Sequence, residues 1–220
     1  MSAVRTTASD DPPRLRGRSH QVAFVLALAA APILIVATPG VGPRFISGIY
    51  ALAITGLFGV SAAYHRGTWR ERGLSVMRRL DHSMIFVAIA ATYTPIAVFV
   101  LPTNTSRWVL PVVWGGAALG ATLRLVWANA PYPVVAAPYL AIGWVGVVAL
   151  GDVLSSLGVA GFVLIATGGG LFTVGAVVYA LHRPNPWPRW FGYHEIFHGF
   201  IVAGAAVHYV AIAFFAVPQA

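Results

Sequence analysis

The chain has 220 residues, of which 58% are hydrophobic and 9% charged, and its mean hydropathy is +0.77. Such a composition cannot present a polar surface to water all round, which excludes a soluble globular domain and makes this an integral membrane protein. Cysteine is absent, so disulfides and thiolate ligands are excluded and any transition-metal site must use His, Asp, Glu and water; the formal charge of +8 rests on arginine, with no lysine.

Residues 1–19, MSAVRTTASDDPPRLRGRS, are polar and Pro-containing and read as a disordered, basic cytoplasmic tail. Apolar runs follow at about 21–38, 44–65, 81–101, 108–128, 133–151, 158–181 and 194–216, each near the roughly 20 residues that one bilayer crossing needs. The first run follows Arg14, Arg16 and Arg18 and could pass for a secretory signal, but six more runs follow and it reads as a retained helix. None of the runs alternates in the manner of barrel strands. The expected fold is all-α: a seven-transmembrane helical bundle, residues 20–220 forming one domain.

Arginine placement orients the bundle. With the N-terminus inside, Arg5, Arg14, Arg16, Arg18, Arg66, Arg70, Arg72, Arg78, Arg79, Arg183 and Arg189 are cytoplasmic, and Arg124 is near the inner end of the fourth span. Only Arg44 and Arg107 fall outside. The positive-inside rule then predicts a cytoplasmic N-terminus and an extracytoplasmic C-terminus. Topology and contact with anionic inner-leaflet lipid explain the basic surplus, and a nucleic-acid partner is not needed. An arginine-only, Ala- and Val-rich composition suggests a high-GC bacterial genome, hence a multi-pass protein of the bacterial inner membrane.

Polar residues at span ends carry the chemistry, because ionisable groups at membrane depth are costly and usually functional. The second span closes with SAAYHR, which puts Ser61 and His65 on one helical face. The third opens with LDHSMIF, placing Asp81 in its first turn, and the seventh opens with HEIFH, so that His194 and His198 share a face. All of these lie near the cytoplasmic end. Three neutral imidazoles from two helices, His65, His194 and His198, would offer zinc a nitrogen set with an open fourth position. Asp81 and Ser61 would then hold a water there. Plainer readings stand beside this one: the histidines as snorkelling or capping residues, Asp81 as an N-cap paired with Arg78 or Arg79, and Ser61 as a small residue at a helix contact.

HEIFH also spells the H-E-x-x-H of zinc proteases. The long zincin pattern is not completed, since position 201 is Ile and position 204 is Gly. No later Asp-bearing span exists to supply a third ligand. Glu195 points about 100° away from His194 and is explained by the helix N-terminal dipole. Elsewhere, His208 is about 15 Å deeper than His198 and reads as a buried histidine paired with a Tyr or Thr of a neighbouring helix. His20, His82 and His182 read as interfacial, and Asp152 as an external loop residue. Pro95 in TYTP predicts a kink whose freed backbone the Thr hydroxyls satisfy. Gly168, Gly169 and Gly170 predict close helix approach.

The segments SAAYHR, RLDHSMIFVAIAATYTP and HEIFHGFIVAGAAVHY resemble those of hemolysin III-type bacterial membrane proteins, in the progestin and adipoQ receptor (PAQR) family and the superfamily that includes alkaline ceramidases. The resemblance implies seven helices, a cytoplasmic N-terminus and zinc near the cytoplasmic face, with His65, His194 and His198 as metal ligands and Ser61 and Asp81 beside them. The long extensions of the animal receptors are absent, so hormone reception does not transfer. The expected activity is metal-dependent hydrolysis of a membrane lipid amide or ester, with Asp81 and Ser61 as the catalytic residues. The alternative is a non-catalytic membrane-homeostasis or receptor-like protein in which zinc is structural. Pore-forming cytolysis is the weakest reading, because the spans lack a polar lining.

Overall fold

The apolar runs fold as helices because a helix alone satisfies its backbone hydrogen bonds without water. The computed structural model describes residues 13–127 and 132–220, with backbone only for 132–136. Seven α-helices are present among them: α1 (Arg18–Ala37), α2 (Val41–Arg66), α3 (Glu71–Phe99), α4 (Thr103–Val126), α5 (Tyr132–Gly143), α6 (Leu150–Leu181) and α7 (Tyr193–Ala211). A 3-10 segment, Trp144–Ala149, joins α5 to α6, and α7 ends in a wider turn over Ile212–Ala216. Beyond one bridge between Trp187 and Phe191, no strand forms among the described residues. Each helix packs on its neighbour in the chain, and α7 returns against α1, closing a ring.

Among the described residues, six segments are long and apolar enough to cross a membrane: Arg18–Ala37, Val41–Arg66, Glu71–Phe99, Thr103–Val126, Ala137–Leu181 and Tyr193–Gln219. The fifth joins what the sequence separates as 133–151 and 158–181. Helical hydrogen bonding runs on through the expected break, but Gly158 has φ 67° and ψ −177°, a conformation open essentially to glycine alone, so the run is kinked there. Outward-facing Val25, Leu26, Ile33 and Val36 of α1 are 61–72% exposed, a surface suited to lipid rather than water. The inner packing is centred on Leu34, Tyr50, Phe86, Val109, Val113 and Ile212.

Of the expected tail, residues 1–12 lie outside the described residues. From Pro13 onward the chain is held. The N–H groups of Arg14 and Leu15 donate to the carbonyls of Arg189 and Trp190 (both 3.1 Å), and the Arg14 guanidinium sits over the Trp190 ring. Gly17 then turns the chain into α1 with φ 75°, and a Cβ there would come within 2.6 Å of the Cβ of His65. The start of α1 therefore passes directly over the end of α2. In α3, Thr92 and Thr94 donate to the carbonyls of Ala88 and Ala90, not to that of Ala91, which Pro95 leaves without its helical donor. Trp114 Nε1 donates to Thr94 Oγ1 (3.1 Å), tying α4 to this point. Asp152 is in the first turn of α6 and accepts from Thr105 (2.8 Å), so it is a helix-start residue with a protein partner rather than a solvated loop residue.

Candidate metal centre

The end of α2 and the start of α7 meet at one end of the bundle, where the start of α1, the stretch of α3 around His82 and the end of α4 also gather. His65 is in the last turn of α2, and His194 and His198 are on one face of the first two turns of α7. Each of the three offers a ring nitrogen within 4.8 Å of the others, a group that could hold a metal ion. His194 Nε2 and His65 Nε2 are 3.2 Å apart. Two nitrogens bound at 2.0–2.1 Å to one tetrahedral zinc would stand about 3.3 Å apart, so the spacing fits such an ion. His198 is 2% exposed and its Nδ1 has no hydrogen-bond partner among the described residues. A neutral, all-imidazole donor set suits zinc and neighbouring transition metals.

Ser61 and Asp81, both buried, lie within hydrogen-bonding reach of each other. They share with His194 and His198 the wall of a cavity of about 810 Å³, while His65 stands behind that wall. From this polar end the cavity runs between the helices along Leu57, Ile85, Ile89, Phe172 and Ile201 to His208. The five residues singled out from the sequence are thus collected at one end of the bundle.

Glu195 does not face this chemistry. Its carboxylate accepts the N–H of Gly192 (2.8 Å), closing the first turn of α7, and pairs with the Arg16 guanidinium. Both contacts hold the approach of α1 to the start of α7, which accounts for a buried acid next to a ligand.

Asp81 is not in a first turn and does not cap its helix: α3 begins at Glu71, with Arg70 as its N-cap, so Asp81 lies about three turns in. Three histidines also depart from expectation. His20 is not interfacial: it is 3% exposed, its ring lies parallel to that of His198 with centroids 3.8 Å apart, and neither nitrogen has a partner among the described residues. It also lines the cavity. The signal available in sequence was a histidine at the first turn of a span, at the same level as the other three. His82 also turns inward, lining the cavity with Nδ1 against the Arg124 guanidinium and Nε2 4.0 Å from Asp81. His208 takes the carbonyl of Ile165 on α6 as its partner (3.1 Å) rather than a Tyr or Thr side chain. Gly168 makes that possible, since a Cβ there would overlap the His208 ring; Gly169 and Gly170 meet no such neighbour and border the cavity. His182 is the exposed C-cap of α6.

A sequence model of the family described as "Haemolysin-III related" matches residues 11–209. The chain is 27% identical to "Hemolysin-3 homolog" of Bacillus subtilis (strain 168) over 202 residues, 90% of this chain and 92% of the relative. It is 26% identical to "Hemolysin-3" of Bacillus cereus, covering 92% of this chain and 90% of that one. It is also 26% identical to human "Monocyte to macrophage differentiation factor", covering 88% and 80% respectively. With the helical membrane fold and the motif positions of the hemolysin III and PAQR pattern in place, this chain belongs to the haemolysin-III related family.

Proposed function

We propose that the protein is a zinc-dependent hydrolase of a lipid amide or ester, working at the cytoplasmic face of the bacterial inner membrane. The observation that carries this reading is the opening of the histidine cluster, with Ser61 and Asp81, onto a largely apolar cavity of about 810 Å³. That volume is within the roughly 300–1,000 Å³ of small-molecule sites. When bound, zinc supplies a Lewis acid that polarises a carbonyl and acidifies water. His65, His194 and His198 would hold it. Asp81 would accept or position the proton of the attacking water, and Ser61, donating its one hydroxyl proton to the Asp81 carboxylate, would orient it. The apolar walls bind the acyl chain and keep bulk water from the site.

The topology belongs to the same reading. A straight helix of 45 residues would be about 68 Å long, over twice the roughly 30 Å hydrocarbon core. Division at Gly158 gives two crossings, seven in all, with the N-terminus inside. A second reading keeps zinc as a staple without turnover, and it is favoured by the ligands joining α2 to α7 and by His65 standing off the cavity wall.

One experiment separates them: zinc content measured alongside release of fatty acid from lipid amides and esters in detergent or liposomes. Wild type should bind about one zinc per chain, and His65→Ala should lose metal and activity together. Asp81→Asn should keep most of the zinc while turnover falls about 10²–10⁴-fold. Absence of zinc-dependent release by loaded protein from every lipid tested would leave the staple. Full activity of Asp81→Asn would discard the role given to Asp81.

A further inference from the structure

Arg124 is the feature of the cavity that hydrolysis of a neutral lipid does not use. It lies two residues from the end of α4, where a long cationic side chain ordinarily reaches outward to the interface. Here the reverse holds. Leu125, Val126 and Trp127 are exposed, whereas Arg124 is 3% exposed and turned into the cavity wall. One terminal nitrogen meets His82 Nδ1, Nε has no hydrogen-bond partner, and no carboxylate pairs with it among the described residues. A guanidinium in an apolar surround without a counter-charge is costly, and its retention at membrane depth marks a ligand.

The surroundings fix its position. Tyr139 donates to the carbonyl of His82 (3.0 Å) and Ser83 to that of Ala121 (3.4 Å), locking α3 against α4 and α5 beside it. Among the described residues the one carboxylate on the wall is Asp81, which Ser61 engages, so Arg124 has no uncommitted counter-charge there.

We propose that Arg124 binds the oxyanion, phosphate or carboxylate, of an anionic amphiphile whose acyl chain fills the apolar cavity. Arginine suits the task because its planar fork of donors matches the oxygens of either group. The proposal rests on the reading of the cavity as a lipid site and narrows it from lipids in general to anionic ones.

The test is equilibrium binding of oleate, dioleoyl phosphatidic acid and dioleoylglycerol to the purified full chain in neutral detergent, with no turnover required. One or both anionic lipids should bind about tenfold or more tightly than dioleoylglycerol, as a charged hydrogen bond implies. Arg124→Gln should abolish that preference and Arg124→Lys should keep part of it, with zinc content unchanged in both. A tighter oleate complex assigns the oxyanion to a fatty-acid carboxylate, and a tighter phosphatidic acid complex assigns it to a headgroup. Equal binding of neutral and anionic lipids by wild type would overturn the proposal, a comparison that stands even if Arg124→Gln fails to fold. So would an undiminished preference in Arg124→Gln protein that retains its zinc. Fatty-acid release measured on the same preparation keeps the two readings apart: anion preference without release removes the hydrolase alone, and release without preference removes the oxyanion site alone.

Discussion

Neighbouring residues at the start of α7 do different work, and substitution separates them. Glu195 accepts from Gly192 and pairs with Arg16, so Glu195→Gln keeps the cap geometry but leaves the guanidinium without its charge. Stability should fall by about 1–3 kcal/mol, seen as a lower unfolding temperature in detergent, while zinc content and turnover persist. Loss of turnover at unchanged stability would revive Glu195 as a base. His20 tests another kind of contribution. Its ring lies flat on His198 with an interplanar angle of 4°, which restrains that ligand without joining the three-nitrogen group. His20→Ala should weaken zinc binding by about 10–100-fold, the usual effect of removing a group that orients a ligand. His20→Phe, which restores a flat ring, should recover most of the affinity in a competition titration against a chromophoric chelator. Equal loss in both variants would mean that the nitrogens of His20, not its face, are what matters.

At the scale of elements, α6 is governed by one residue. Gly158 has a backbone conformation that a Cβ makes strained, yet it has no atoms near that would crowd a side chain. The expected cost of Gly158→Ala is therefore purely conformational, about 1–3 kcal/mol. Gly151, in the same helix with regular geometry and equally open space, is the control. Gly151→Ala should be neutral or stabilising by about 0.5–1 kcal/mol, because alanine loses less backbone entropy on folding. Thermal midpoints of the two variants against wild type check the pair, and equal shifts would show that the kink is not held by glycine. Helix α7 depends on its start instead, where Glu195, Gly192 and Arg16 fix the rotation that aims His194 and His198 at α2.

For the whole molecule, the distribution of arginine predicts the sidedness. A reporter fused at Gln219 should be extracytoplasmic and one fused after Arg72 cytoplasmic, as accessibility of each to a membrane-impermeant reagent would read directly. The reverse pattern would put the metal centre in the opposite leaflet. Seven crossings require the break at Gly158 to divide 137–181 into two, which would return the chain to the side on which α7 starts. Six crossings with an even count would place both termini on one side, and the same pair of reporters would then agree.

Hydropathy alone determined that this chain is a helical membrane protein, because a bilayer imposes length and composition on every crossing. Spacing within HEIFH and SAAYHR was enough to put Ser61 with His65, and His194 with His198, on shared faces, since helical periodicity is local. The depth of each span end then brought α2, α3 and α7 to one level. What sequence could not supply was rotation about each helix axis. That angle is set by packing against several neighbours at once, and it turned His20 and His82 inward against the interfacial reading. It likewise buried Arg124 while its sequence neighbours stayed exposed. It gave Glu195 to Arg16 where α7 closes against the start of α1, a pairing between residues 179 positions apart that no motif encodes. The cavity, too, is tertiary alone: it is the space that seven helices leave between them, with walls drawn from faces that are separately no more than apolar.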